Sequence, residues 1–348
     1  MKTGTSALAL ATIALATTVA CSSDDSSKKD VTVTIVAYES FTPPEGIFDA
    51  FTNETGISVR VVAAGDAGEM IAKATLTAGN PEGDVMWGVD NTLLSRALDA
   101  DVFDPYVSEV DGLDPDLVAT AVDVVTPVDY GDVCVNYDVD RLEQLGIDPP
   151  TSFEDLALPE YRGLLVTPSA LTSSTGLAFL LGTIADDPDG WQQTWRDLRD
   201  NDILVVGGWY EAYYTEFSRY GGDRPLVVSY ASSPPAEILF ADPPLPDGSP
   251  APTAVVTSTC FRQIEYAGVL RGSKHVEEAR ELIDYLVSPT FQESMPESLF
   301  VFPANERATL SDTFTTYVQP VTDPLVMDSA TIASSRDAWL EEWDAIVG

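Results

Sequence analysis

Three consecutive hydroxyl side chains, Ser173, Ser174 and Thr175, stand before Gly176 and an apolar run that is typical of a helix. The first backbone N–H groups of a helix have no partner inside it, and the helix dipole favours negative charge at that point. Hydroxyl groups beside such N–H groups can bind a phosphate or a carboxylate. Equally, these residues could act only as a helix N-cap. The sequence alone leaves both interpretations open.

Aromatic residues occur at turns in the same half of the chain. Trp209 follows two glycines at the start of a predicted helix, and Tyr230 ends a predicted strand. Together with Tyr38, Trp209 could sandwich a flat, cationic ring. Tyr213 lies at helical spacing from Trp209, a pattern that is also typical of a buried core. The aromatic residues therefore indicate a planar organic ligand and leave a packing role open for Tyr213.

Carboxylates supply the charge that such a ligand would need. Glu39, Asp66 and Asp129 could accept hydrogen bonds from ring amines or balance a positive charge. The chain has 56 Asp and Glu against 18 Lys and Arg, a net charge of −38. This balance argues against nucleic acid, because phosphate contacts need clustered basic residues. A single His argues against His-based catalysis and His-rich metal sites.

Strands that alternate with helices must position these residues. The early strand-like runs are 31–36, 57–63 and 85–88. This alternation predicts an α/β fold with a parallel-type sheet and helices on both faces, in which ligands bind beyond the carboxyl ends of the strands. The residues that follow these runs are Tyr38, Glu39 and Ser40, then Asp66, then Asp90. The sequence therefore predicts that three turns converge on one crevice.

Two further strand-like runs, 127–137 and 254–260, are expected to cross between two lobes. The predicted first lobe comprises 31–127 with 261–304, and the second comprises 128–260 with 305–348. At 348 residues with 45% hydrophobic composition, the chain is long and apolar enough to bury a core in each lobe.

The N-terminus is typical of an exported protein. Residues 1–20 combine an early Lys, an apolar run and small residues before Cys21, which is the pattern of a secretory signal. The stretch 18–21 resembles a bacterial lipobox, so Cys21 is expected to become a lipidated first residue, with 22–30 as a polar tether. An ordinary cleaved signal is the alternative. We therefore expect an extracytoplasmic protein that is anchored to the cell membrane only through lipid.

Export also changes the interpretation of the cysteines. With Cys21 lipidated, Cys134 and Cys260 remain as an even pair in an oxidising compartment. Both lie in strand-like runs, and we expect a disulfide between them. Two unlinked, buried thiols are the alternative.

Several motifs then occur in a specific order. They are Tyr38-Glu39-Ser40-Phe41, Gly65-Asp66, Gly88-Val89-Asp90-Asn91, Val128-Asp129-Tyr130-Gly131, Ser173 to Gly176, Gly208-Trp209-Tyr210-Glu211, Ser229-Tyr230-Ala231-Ser232-Ser233-Pro234 and Ser288-Pro289-Thr290-Phe291-Gln292. In this order, over 31–348, the chain resembles the thiamine-binding solute receptors of bacterial ABC importers. The resemblance implies a two-lobed periplasmic-binding-protein fold of type II, a cleft between the lobes, no catalysis and no cofactor. It also implies a monomer that delivers thiamine or its phosphates to a permease and its ATPase.

The resemblance assigns roles to individual positions. Tyr38 and Asp66 match cleft positions, where an acid can accept from the aminopyrimidine, and Ser173 with its neighbours matches the turn that meets the ligand phosphate. An aromatic residue of the family is replaced by Ala236, and a late Trp by Phe300. The expected ligand-binding residues are Tyr38, Glu39, Ser40, Asp66, Asp90, Asp129, Tyr130, Ser173, Ser174, Thr175, Trp209, Tyr213, Tyr230, Ser232 and Phe300, with no metal ligand among them.

Three alternatives remain at this point. A ferric-iron receptor of similar fold could use Tyr213 and Tyr214 as ligands, although adjacent helical residues diverge by about 100°. A thiamine-cleaving transferase could use Cys134 as its nucleophile, provided that the thiol is free. A purely structural surface lipoprotein is the third alternative.

Overall fold

A computed structural model describes Met1, residues 31–246 and residues 248–348. The predicted signal sequence, the lipidation site Cys21 and the tether lie outside the described residues. Among the described residues, no helix combines the length and the apolar character that a membrane span requires.

Ten strands in the described residues form one sheet. They are β1 (Val31–Ala37), β2 (Ile57–Ala63), β3 (Val85–Asp90), β4 (Phe103–Asp104), β5 (Thr126–Asp138), β6 (Leu165–Pro168), β7 (Leu204–Val206), β8 (Leu226–Tyr230), β9 (Thr253–Leu270) and β10 (Phe302–Pro303). The strand order is β2-β1-β3-β9-β5-β8-β6-β7, with β4 added to β9 and β10 added to β5. We call the β2-β1-β3 side the first lobe and the β8-β6-β7 side the second lobe.

Helices flank this sheet. They are α1 (Asp49–Thr55), α2 (Ala67–Leu76), α3 (Leu94–Asp99), α4 (Pro115–Val118), α5 (Val139–Leu145), α6 (Ser174–Asp186), α7 (Trp191–Asp200), α8 (Trp209–Glu211), α9 (Pro234–Leu239), α10 (Val276–Leu286), α11 (Pro289–Gln292), α12 (Met295–Ser298), α13 (Asp312–Tyr317) and α14 (Ser329–Val347). A π-helical turn, Ala212–Glu216, continues α8.

The sheet is mixed, whereas the sequence predicted parallel-type sheets. Strand β1 is parallel to β2 and β3, and β6 is parallel to β7 and β8. The centre is antiparallel because the long strands β5 and β9 cross between the lobes in opposite directions. The predicted lobe boundaries at 127/128 and 260/261 fall within these two strands. Strand β9 is also longer than the predicted run 254–260.

A disulfide joins the two crossing strands. Cys134 of β5 and Cys260 of β9 are bonded with an S–S distance of 2.04 Å, and both residues are buried. The predicted disulfide is therefore present, and the alternative of two unlinked thiols is wrong for this structure. The cross-link ties the strands together where they pass from one lobe to the other.

Buried aromatic side chains fix the C-terminal helix. Trp343 of α14 meets Trp195 of α7 edge to face, with ring centroids 5.4 Å apart. Trp195 in turn donates its indole N–H to the Thr183 hydroxyl at 2.9 Å. On its other side, Arg336 of α14 donates to the Ser95 hydroxyl of α3 at 3.1 Å. Helix α14 therefore contacts both lobes.

Candidate functional site

A cavity of about 290 Å³ lies between the lobes, near the lower end of the volumes typical of small-molecule sites. Ten of the residues predicted from the sequence line it: Tyr38, Glu39, Ser40, Asp66, Ser174, Thr175, Trp209, Tyr213, Tyr230 and Phe300. Of the three residue groups predicted to converge after the first strands, Tyr38 to Ser40 and Asp66 line the cavity, whereas Asp90 does not.

Tyr38 forms part of the cavity wall where β1 ends. Its hydroxyl donates to a Glu265 carboxylate oxygen at 3.1 Å. The ring lies so close to β3 that a Cβ atom at Gly88 would sit 2.3 Å from it, and Gly88 has a φ of +92°. Only glycine fits both requirements. Gly88 thus allows the Tyr38 ring to approach the backbone of β3 closely.

Trp209 is held on three sides. Its backbone N–H donates to Asp66, its indole N–H donates to the Ser229 hydroxyl at 3.0 Å, and its ring stacks on Tyr213 with centroids 5.1 Å apart. Tyr213 is itself fixed, because its hydroxyl donates to the buried Glu237 at 2.7 Å. A pre-positioned indole loses little side-chain entropy when a ring stacks on it.

Asp66 joins the two lobes. It caps α2 by accepting from the Ala67 N–H at 2.6 Å, and its other oxygen accepts from the Trp209 N–H of the second lobe at 3.0 Å. Burial raises the pKa of Asp66, while hydrogen bonds from Trp209, Ala67, Ser173 and Ser174 lower it. Its carboxylate thus already serves as an anion for helix N-termini of the second lobe.

The lobes are closed over the cavity. A Cβ atom at Gly68 of α2 would lie only 2.4 Å from the backbone oxygen of Thr172 in the second lobe. The Thr172 hydroxyl donates to the Gly207 carbonyl oxygen at 2.6 Å, which holds the turns before α6 and α8 together. Direct backbone contact between the lobes therefore accompanies the Asp66–Trp209 hydrogen bond.

The three predicted hydroxyls are split in their roles. Ser174 and Thr175 line the cavity, whereas Ser173 does not, and its hydroxyl lies 3.0 Å from that of Thr175. Although Ser173 occupies the N-cap position of α6, its side chain forms no capping hydrogen bond. The structure therefore gives no support to the interpretation of Ser173 as a simple cap.

Four more predicted residues do not line the cavity. They are Asp90, Asp129, Tyr130 and Ser232. Asp90 is buried, and burial raises its pKa to about 6 despite four donors: the Thr92 N–H and hydroxyl, the Leu93 N–H and the Gln263 amide. Gln263 in turn accepts from the Tyr230 hydroxyl at 2.7 Å, so Asp90 orients Tyr230 through Gln263. For these four residues, ligand binding stays a prediction.

The other three have different partners. The Ser232 hydroxyl donates to the backbone oxygen of Phe300, which links β8 to the turn that carries Phe300. Tyr130 stacks on Phe302, and the Arg262 guanidinium lies over the Tyr130 ring, 4.9 Å from its centroid. Asp129 is fully buried.

Glu265 is a buried acid in the cavity lining that the sequence analysis missed. It lies in β9 directly opposite Asp90 of β3 and Asp129 of β5, lines the cavity and is only 4% exposed. Burial raises its pKa well above the usual range, and the neighbouring Asp129 raises it further. An acid within the otherwise apolar run 264–270 was the available signal, because buried carboxylates are rare without a partner.

Asp129 is 0% exposed, and within the described residues no N–H group and no Ser, Thr or Tyr hydroxyl donates to either of its carboxyl oxygens. Burial raises its pKa well above the usual range, and a hydrogen bond with the Glu265 carboxyl lowers it in part. Such a bond between two carboxyl groups requires a proton on one of them. We call Tyr38, Asp129 and Glu265 the acidic region of the site, and Asp66, Ser174 and Thr175 the hydroxyl region.

Two of the alternatives lose their key residue. Cys134 is bonded to Cys260 and does not line the cavity, so it offers no thiolate for a transferase. The Tyr213 hydroxyl is engaged by Glu237, which removes it as a ready ligand for iron. In the part of the chain that the structure describes, no group of three or more His, Cys, Asp or Glu residues is arranged to hold a metal ion.

Comparisons with known proteins agree with this architecture. The thiamine-binding periplasmic protein of Escherichia coli strain K12 is 28% identical over 323 residues, which cover 90% of this chain and 93% of that protein. A solved structure of a periplasmic thiamin binding protein superimposes with a TM-score of 0.77 at 26% identity, covering 91% of this chain and 96% of that one. A ferric binding protein from Campylobacter jejuni is similar in fold alone, with a TM-score of 0.71 at 17% identity, covering 90% and 99%.

A family model also matches most of the chain. Residues 46–322 match the bacterial extracellular solute-binding proteins, a stretch that includes both crossing strands and most of the cavity lining. Members of this family are transport receptors that bind solutes without transforming them. The two-lobed fold of type II, the crossing strands and the matched stretch together lead to one conclusion: the chain belongs to the bacterial extracellular solute-binding proteins.

Proposed function

We propose that this protein captures thiamine or thiamine phosphates outside the cytoplasm and delivers them to the permease of an ABC importer. The observation that carries the proposal is the pairing, in one closed cavity, of a fixed aromatic wall with a buried carboxylate. Trp209 and Tyr38 suit a planar ring, and Glu265 suits a cation or a ring amine. The similarity to thiamine-binding proteins over 90% of the chain supports the same ligand.

The ring of the ligand would lie against Trp209, with Tyr38 or Tyr230 completing the stack. We assign the amine hydrogens of the aminopyrimidine to Glu265 rather than to Asp66. Asp66 already accepts from the N–H groups of Ala67 and Trp209, whereas among the described residues Glu265 has one donor besides the shared Asp129 carboxyl, the Tyr38 hydroxyl. A carboxylate with free lone pairs gains more from a new donor than one whose sites are filled.

The phosphate of a phosphorylated ligand would lie in the hydroxyl region. Ser174 and Thr175 line the cavity at the start of α6, where the helix dipole favours an anion, and the phosphate would share this helix end with Asp66, which accepts from the Ser174 N–H. No Lys or Arg occurs in 168–190, so neutral donors would hold the phosphate. Neutral donors leave no buried cation unpaired when the phosphate is missing. We therefore expect thiamine and its phosphates to bind within about two powers of ten of one another, or roughly 3 kcal/mol.

The mature protein would act as a monomer tethered to the cell membrane through a lipid on Cys21. Its partners would be the permease and the associated ATPase. Closure of both lobes over the ligand would present one compact shape to the permease, as the Asp66–Trp209 hydrogen bond between the lobes suggests.

Native mass spectrometry of the protein, purified without added ligand, tests the proposal. Receptors with closed clefts often retain their solute, so we expect a mass increment equal to thiamine or one of its phosphates. After unfolding and refolding without reductant, added thiamine should restore the increment. Retention of a sugar phosphate or of a ferric ion, with no uptake of thiamine by the emptied protein, would contradict it.

A further inference from the structure

The carboxyl groups of Asp129 and Glu265 face one another on adjacent strands beneath the cavity. The two residues are directly paired in the β5–β9 register, and they are 0% and 4% exposed. Glu265 has one donor, the Tyr38 hydroxyl, and Asp129 has none among the described residues. Two buried carboxylates that both carried a charge would repel each other in a medium of low dielectric.

Acidic groups that face this pair make a charge on it less favourable. Asp66 at the start of α2 and Asp90 of β3 raise the pKa of Glu265, whereas the Tyr38 hydroxyl, just after β1, lowers it by donating a hydrogen bond. Tyr230 of β8 also faces Glu265. Among the groups that act most strongly on Glu265 and Asp129 there is no Lys or Arg. Among the described residues, no basic side chain is placed to bind both carboxyl groups. A proton shared between them would satisfy one oxygen of each.

We propose that Asp129 and Glu265 hold one proton between them when the cleft is empty, and that a cationic ligand displaces this proton when it binds. The proton passes to the solvent, and the positive charge of the ligand takes its place beside two ionised carboxylates. The first part of the inference concerns the empty protein alone, whereas the second part rests on the proposed function.

A linkage to pH follows with a definite sign. Because both carboxyl groups have raised pKa values in the folded protein, the pair keeps a proton at a pH where the unfolded chain has lost it. The stability of the empty protein should therefore fall as the pH rises through that range. Affinity for a cation should change in the opposite direction, because protons compete with the ligand at low pH.

The charge of the ligand-free protein tests the first part. In capillary electrophoresis at pH 7, Asp129→Asn and Glu265→Gln should each leave the net charge nearly unchanged, because the remaining carboxylate ionises. The double variant should lose one negative charge. The exposed residues Asp223 and Glu143 provide matched controls: Asp223→Asn and Glu143→Gln should each lose one charge.

Two results would overturn the shared proton. A full charge lost in both single variants would mean that both carboxyl groups are ionised, and no change in the double variant would mean that both are protonated. The two single variants give the same test, so that failure of one to fold leaves the other decisive.

Calorimetric titration with thiamine at pH 7, in two buffers with different ionisation enthalpies, tests the second part. The wild-type protein should release about one proton per thiamine bound, and Asp129→Asn should release none. Thiamine binding without proton release would overturn the displacement and leave the proposed function intact. Failure to bind thiamine at all would contradict the proposed function, while the charge measurement would still decide the shared proton.

Discussion

The acidic region and the hydroxyl region differ in whether their polar groups already have partners. In the acidic region, among the described residues, Asp129 accepts from no N–H or hydroxyl group and Glu265 accepts from one hydroxyl, that of Tyr38. In the hydroxyl region, Asp66 already places a carboxylate against the N–H groups of Ala67 and Trp209. A cation therefore supplies what the acidic region lacks, whereas a phosphate must compete with an anion that is in place. From this comparison we expect a positive group on the ligand to contribute strongly to binding and a phosphate to contribute little.

The largest expected effect is in the acidic region. Glu265→Gln keeps the size of the side chain but removes the charge that faces the ligand. We expect the affinities for thiamine and thiamine phosphate to fall by similar factors, about 30-fold or 2 kcal/mol, since both share the aminopyrimidine that Glu265 is proposed to bind and the cationic ring attached to it. Isothermal titration calorimetry with both ligands measures this, with Glu143→Gln as the exposed control. A loss for only one of the two ligands would break the division between the regions.

A smaller effect is expected from the aromatic wall that both regions share. Trp209→Ala removes the stacking surface and should weaken all forms of the ligand by about tenfold, or 1–2 kcal/mol. Trp209→Phe keeps an aromatic face and should recover part of that loss. Because Tyr213 stacks on Trp209, melting temperatures of both variants are needed to show that the wall remains folded. Unchanged affinity in the alanine variant would remove Trp209 from the site.

The smallest effect is expected in the hydroxyl region. Changing Ser174 and Thr175 together to Ala and Val removes two hydroxyl donors that line the cavity. Binding of thiamine phosphate should weaken by about fivefold, or 1 kcal/mol, and binding of thiamine should hardly change. Ser334→Ala is the control, because Ser334 is exposed on α14 and does not line the cavity. Equal losses for both ligands would mean that the Ser174 and Thr175 hydroxyls do not contact the phosphate.

Local signals in the sequence predicted much of the fold. The β-branched runs marked β1 and β2, which form at 31–37 and 57–63, and Gly56 ends α1 with a φ of +81°. Asp66, which follows β2, is a residue type that favours helix N-caps, and it caps α2. These features depend on residues that are close together in the chain, so they can be predicted from the local sequence.

The site was predicted less completely, because strand ends fix where a residue lies but not where its side chain points. Asp66 and Asp90 both follow a strand, yet Asp66 lines the cavity and Asp90 is turned inward against Thr92 and Gln263. Glu265 lies opposite Asp129 only because β5 and β9 pair over a long separation in sequence. No local sequence pattern indicates which residues of β5 and β9 lie opposite each other. The acidic region therefore could not be predicted from the sequence alone.

The central claim is that the cleft selects a thiamine-like cation. The most direct test is isothermal titration calorimetry of the refolded, ligand-free protein with thiamine, with the ferric ion and with an uncharged sugar. We predict one thiamine per chain with a Kd of about 1 μM or below, equivalent to about −8 kcal/mol, and no binding of the other two. Tight binding of iron or of the sugar, with no heat from thiamine, would contradict the account.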